Sequence, residues 1–148
     1  MDNVLLSVKN LCVEYNAERG RVHAVTDVSF DIHRGEFFGL AGESGCGKST
    51  TAFAIMRLLK GSATIASGEI AFNGKNVLQF GAEELRLFRW DQTSMVLQSA
   101  MNNLNPVATI GSQLVDAIMA HRDVPKNRAV ERAIELLKLV NISETRLK

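Results

Sequence analysis

Residues 37–49 read Phe37-Phe38-Gly39-Leu40-Ala41-Gly42-Glu43-Ser44-Gly45-Cys46-Gly47-Lys48-Ser49. An apolar run is followed at once by a glycine-rich loop, and the loop by Lys48 to Leu59, where apolar residues at 53, 55, 58 and 59 suit a helix ended by Gly61. The run from Phe37 to Ala41 has the unbroken apolar character of a parallel strand buried on both faces. Gly42 to Ser49 fits GxxxxGK[ST], in which backbone N–H groups wrap a polyphosphate and a lysine reaches its outer oxygens. At background residue frequencies its four fixed positions coincide in roughly one chain in two hundred of this length, so the strand before it and the helix after it carry the argument.

Each residue type in the loop answers a physical demand. Glycines at 42, 45 and 47 allow the backbone to approach a phosphate closely and to adopt unusual dihedral angles. Glu43, Ser44 and Cys46 contribute backbone, and the Cys46 side chain is given no role. The helix start turns its positive end toward the anion, Lys48 reaches the β and γ oxygens, the Ser49 hydroxyl is placed to bind Mg²⁺, and Thr50 adds a further N–H. Phosphate loops serve many enzymes. A GTPase would need a DxxG switch and an NKxD base-recognition motif, and neither occurs.

Outward from the loop, residues 4–15 read as a strand with Leu11, Val13 and Tyr15 on one face and Cys12 and Glu14 on the other, and residues 23–32 as a second strand after a polar turn at 16–21. Gly68 to Phe72 and Val77 to Leu78 flank an Asn73-Gly74 turn, a hairpin signal. Glu83 to Trp90 reads as a helix whose Arg86 and Arg89 lie on a solvated face, and Ser94 to Leu97 as a second buried strand. Helices are expected from Ile110 to His121 and from about Pro125 to Val140.

The chain of 148 residues is 46% hydrophobic and 22% charged, the composition of one globular domain. A formal net charge of +1 gives no electrostatic reason to expect a surface for nucleic acid or acidic lipid. Two cysteines are too few for a disulfide framework, and His23, His33 and His121 are isolated. The start lacks a signal-peptide pattern and no run of eighteen apolar residues occurs, so a cytoplasmic location is expected.

Over nearly its whole length the sequence resembles ATP-binding cassette (ABC) proteins, and within them the oligopeptide, dipeptide and nickel importer branch. The stretch AVTDVSFDIHRGEFFGLAGESGCGKSTT resembles that family's approach to its Walker A loop, and SMVLQSAMNNLNPVATIGSQLVDAI its Q-loop segment. Several properties follow from the resemblance. The fold is α/β, a phosphate-loop nucleotide-binding core over residues 1–101 with an antiparallel β edge, and residues 102–148 begin an α-helical subdomain that is incomplete. Gln98 is the Q-loop glutamine, whose amide ligates Mg²⁺ or orients the attacking water. Tyr15 is the aromatic that stacks on adenine, although it also continues the apolar face of Leu11 and Val13, so core packing competes with that role. ATP and Mg²⁺ are the cofactors. Membrane permease subunits and a second ABC ATPase subunit are the partners, and the protein sits on the inner face of the membrane through the permease.

The resemblance implies an ATPase that drives uptake of an oligopeptide, oligosaccharide or nickel complex. Ser99-Ala100 stands where many relatives carry an acidic residue and proline, a form shared with oligosaccharide importers, which leaves the substrate open. No LSGGQ signature, Walker B carboxylates or switch histidine follow Gln98. Truncation is the expectation, with little turnover by this chain alone. The competing readings are a nucleotide-binding module without hydrolysis and a non-transport ABC ATPase.

Overall fold

The computed structural model describes residues 3–18, 20–97 and 104–147. They form two compact units, Met1–Leu85 and Arg86–Lys148. The expected boundary at 101/102 lies outside the described residues, as does Gln98.

The first unit is built on an antiparallel sheet of order β2-β1-β3-β4, with β1 at Val4–Ala17, β2 at Gly20–His33, β3 at Ala63–Phe72 and β4 at Lys75–Asn76. The β1–β2 hairpin closes tightly, Ala17 facing Gly20, so the expected turn at 16–21 is shorter than its polar composition suggests. Strict alternation along β1 would place Leu6 and Val8 on the face opposite Leu11 and Val13, yet all four are buried. A bulge between Val8 and Leu11 resolves this by inserting one residue of parity change. Asn10 sits in it at φ 48°, its N–H donating to Ser29 Oγ at 2.8 Å and its side-chain amide to Asp27 Oδ1 at 2.7 Å. Side chains thereby satisfy backbone groups that the ladder abandons. Ile70, Phe72, Val25 and Val77 complete the buried side of the sheet.

Two expected strands of this unit depart further from expectation. The run Phe37 to Ala41 forms no strand: it takes no place in the sheet, Phe37 is fully exposed, and Phe38 stacks instead on Phe30 with ring centroids 4.9 Å apart. A strand buried on both faces needs neighbours on both sides, and no described strand lies beside it. The Asn73-Gly74 turn forms with both residues at positive φ, but only Lys75–Asn76 pairs back on β3. The next residues, Val77–Gln79, coil into a 3₁₀ turn because the Asn76 side chain accepts from Leu78 N–H at 2.9 Å and so competes with the ladder.

Helix α1 spans Lys48–Ile55, shorter than the expected Lys48 to Leu59. It ends in a Schellman motif: Leu58 N–H donates to Phe53 O at 2.8 Å, and Arg57 N–H to Ala54 O at 3.0 Å, with Arg57 at φ 51°. The stop thus precedes Gly61, and an arginine holds the left-handed position that glycine usually fills, at a local cost of about 1–2 kcal/mol. Helix α2 (Ala82–Leu87) follows.

In the second unit, the helix expected to reach Trp90 breaks earlier, since Arg89 is extended and Trp90 has φ 83°. Trp90 N–H donates to Thr93 O at 2.7 Å and Thr93 N–H to Phe88 O at 2.9 Å, closing a tight reversal, and the indole stacks on His121 with centroids 4.8 Å apart. Ser94 to Leu97 is irregular and Val96 is exposed, so the expected buried strand is absent; like 37–41, this run has no strand beside it among the described residues. Arg86 is half-buried rather than solvated and donates to Ala120 O at 2.5 Å, and Arg89 is likewise half-buried. Helices α3 (Ile110–His121) and α4 (Lys126–Leu139) match their periodicity. Val115 and Ile118 pack against Ala129 and Ala133, whose small side chains let the helices approach closely. Thr109 caps α3, its hydroxyl accepting from Ser112 N–H at 3.1 Å.

Candidate functional site

The glycine loop reaches α1 through Gly47, the helix N-cap, at φ 96°. A Cβ built there would lie 2.4 Å from the Ala24 carbonyl oxygen and 3.2 Å from Val25 Cγ2, so close approach to β2 and the left-handed backbone both require glycine. Lacking a side chain, Gly47 cannot cap the helix, which leaves the first-turn N–H groups of Lys48, Ser49 and Thr50 directed outward without an intrahelical acceptor. That is an anion-binding geometry.

Lys48 folds over the loop. Its ammonium donates to Gly42 O at 2.8 Å and Glu43 O at 2.5 Å, with Cys46 Sγ at 3.5 Å. Two of its three donors thus go to carbonyls of the loop it belongs to, and one positive charge is fixed at the mouth of the loop. Cys46 N–H also turns inward to Glu43 O at 3.3 Å. Thr51, almost fully buried, anchors the first turn by donating its hydroxyl to Gly47 O at 3.0 Å.

A cleft of about 680 Å³ opens beside this turn, lined by Tyr15 and Val22 from the β1–β2 hairpin, by residues 23–26 of β2, by Leu40 and Ala41, and by Gly45, Cys46, Gly47, Lys48, Thr50 and Thr51. Tyr15 and Val22 face each other across the ladder. The structure therefore brings Tyr15 to the same cleft as Lys48 and Thr50, although 33 residues separate it from Lys48, and leaves it half-buried rather than in the core with Leu11 and Val13. Gly42, Glu43, Ser44 and Ser49 are exposed and lie outside this lining. The roles of Thr51, as anchor of the turn, and of Ala24, as the wall that Gly47 touches, were not foreseen; the threonine four residues after Gly47 was the available signal. Among the described residues no group of histidines, cysteines or carboxylates has the geometry of a metal site.

A glycine loop entering a helix beneath an antiparallel sheet, with an aromatic side chain across the cleft, belongs to the phosphate-loop class of α/β proteins. The family model described as ABC transporter matches residues 25–148, and the chain belongs to that family. Among curated relatives it is similar to the oligopeptide transport ATP-binding protein OppD of Escherichia coli (strain K12), 40% identical over 144 residues that make up 97% of this chain and 42% of that protein. The dipeptide transport ATP-binding protein DppD of Bacillus subtilis (strain 168) is 41% identical over 141 residues, 95% of this chain and 42% of that protein. The chain thus spans less than half the length of these relatives. Among solved structures it superposes on the ATP-binding cassette MJ0796, a dimer in a post-hydrolysis state bound to ADP and Pi, with a TM-score of 0.75 at 23% identity, covering 97% of this chain and 60% of that one. This likeness establishes the ABC nucleotide-binding fold, mixed α/β with an antiparallel sheet.

Proposed function

We propose that this chain supplies the ATP-binding part of an ABC importer subunit, in which ATP binding and hydrolysis drive uptake of an oligopeptide-type substrate, with oligosaccharide and nickel complexes as the other members of the class. The observation that carries the reading is the single cleft shared by Tyr15, Lys48 and the uncapped first turn of α1. Its two chemically different sets of lining residues suit a nucleoside triphosphate, with a flat ring for the base and N–H donors plus an ammonium for the phosphates.

In this reading the N–H groups of residues 45–50 cradle the phosphates, that of Cys46 by giving up its bond to Glu43 O. Lys48 exchanges the Gly42 and Glu43 carbonyls for β and γ oxygens, and the stronger charge of the phosphate favours that exchange. Ser49, exposed at the start of α1, is the residue that would hold Mg²⁺, which supplies charge neutralisation between the phosphates. Gln98 would complete that coordination or orient water. Tyr15 stacks on the base. Hydrolysis belongs to the whole protein, with permease subunits and a second ABC ATPase subunit as partners and the inner face of the membrane as its place. OppD and DppD, named for oligopeptide and dipeptide transport, support the substrate class.

The test is isothermal titration of Mg-ATP. Lys48→Ala is expected to weaken binding by at least roughly a hundredfold, the loss of a charge-assisted contact to phosphate, while leaving the melting temperature near that of the parent. Unchanged affinity would overturn the assignment.

A further inference from the structure

We infer that Arg57 is a positioning residue for the phosphate loop, a role that rests on the nucleotide reading above. Helix α1 is only eight residues long, so the direction of its N-terminal end depends on what holds its other end. That other end is clamped. The half-buried Arg57 guanidinium donates from Nη1 to Phe80 O at 2.8 Å and to Val77 O at 3.3 Å. These are carbonyls of the 3₁₀ turn, and Val77 O already accepts the Phe80 N–H that closes it. The turn is fixed in its own right, since Asn76 caps its first residues and Val77 is fully buried against the sheet. Arg57 therefore ties the phosphate helix to a rigid part of the same unit 20 or more residues away in sequence.

The backbone at Arg57 strengthens the assignment. It occupies the left-handed position of the Schellman motif at φ 51°, where glycine would relieve strain and serve the helix end better. An arginine kept there despite its backbone cost points to the side chain as the reason for its presence. At the opposite end of α1, Gly47 touches Ala24 and leaves little room for adjustment. The helix is thus anchored at one end by close contact and at the other by the guanidinium, and both anchors set the axis along which the first-turn N–H groups point. Loss of the clamp frees the C-terminal end, and the phosphate end tilts with it, while Tyr15 on the hairpin stays where it is.

Arg57→Gly separates this role from a merely structural one, because it improves the helix end while removing the clamp. Mg-ATP affinity by titration, adenosine affinity by saturation-transfer NMR and melting temperature are measured for the parent, Arg57→Gly, Arg57→Lys and Lys48→Ala. The expected result for Arg57→Gly is a melting temperature close to that of the parent, Mg-ATP binding weakened roughly tenfold, as for one lost charge-assisted hydrogen bond, and adenosine binding unchanged. Arg57→Lys, which can still reach one carbonyl, recovers part of the loss. Parent-like Mg-ATP affinity in Arg57→Gly overturns the positioning role, as does a parallel fall for ATP and adenosine. Should Lys48→Ala also bind Mg-ATP normally, the nucleotide reading fails and the positioning role fails with it, an outcome distinct from failure at Arg57 alone.

Discussion

Residues 4–15 and residues 37–41 both read as strands in the sequence, and they meet opposite fates. The first is strand β1, with Val8, Leu11 and Val13 essentially inaccessible to solvent. The second lies outside the sheet with Phe37 fully exposed. The difference lies in where the partner comes from. β1 alternates, as suits a sheet with one wet face, and its partner β2 begins three residues after it ends, so loop closure costs little. Phe37 to Ala41 is apolar without interruption, and such a run is stabilised as a strand only with neighbours on both sides.

The comparison breaks most visibly by paired substitution. Leu11→Ala removes a fully buried side chain between two ladders and is expected to cost about 2–5 kcal/mol in urea unfolding. Phe37→Ser, a larger change in polarity, is expected to stay within about 0.5 kcal/mol because the ring touches solvent already. Equal losses from the two would show that the 37–41 run is covered in solution, by self-association or another chain.

This contrast also explains what was legible in the sequence. The β1–β2 hairpin, the Asn73-Gly74 turn and helices α3 and α4 depend on neighbours close along the chain, and their periodicity announced them. The expected strands at 37–41 and 94–97 depend on partners that no local pattern can supply. Small competing interactions moved the other boundaries: the Asn76 side chain converted a strand into a 3₁₀ turn, and Arg57 ended α1 before Gly61. In the candidate site, the loop from Gly42 to Thr50 was readable by motif and Tyr15 by resemblance. The Ala24 wall and the Arg57 clamp were not, because both are backbone contacts that any residue type could accept.

Gly47→Ala sharpens the comparison at its centre, since the glycine loop joins the exposed run to a helix packed under the hairpin. The new methyl meets a backbone carbonyl that cannot rotate away, in a dihedral region that alanine disfavours. The expected destabilisation is about 2–3 kcal/mol, with Mg-ATP affinity lost at temperatures where the protein is still folded. A variant with the parent's stability and affinity would mean that the loop is not pressed against β2.

The smallest effect concerns the turn that delivers the chain into the 37–41 run. Glu36 Oε2 accepts from the His33 backbone N–H at 2.7 Å and lies 3.1 Å from the ring Nδ1 of His33. The backbone hydrogen bond first, then the bond to the imidazole, hold the Glu36 carboxyl below its ordinary value of 4.5. A carboxylate whose folded pKa is depressed contributes stability above its unfolded value, and the contribution is lost as pH falls through the folded one. Since the carboxylate is exposed and screened by water, the contribution is small. The parent should therefore melt slightly above Glu36→Gln at pH 6, and the two should converge as the pH is lowered below the ordinary glutamate value. The gap would persist at low pH if Glu36 acted through packing instead of charge, and it would be absent at pH 6 if the turn were held by the chain beyond Phe37. Convergence on acidification is the result that makes this turn, like the hairpin before it, a structure closed by its own neighbours.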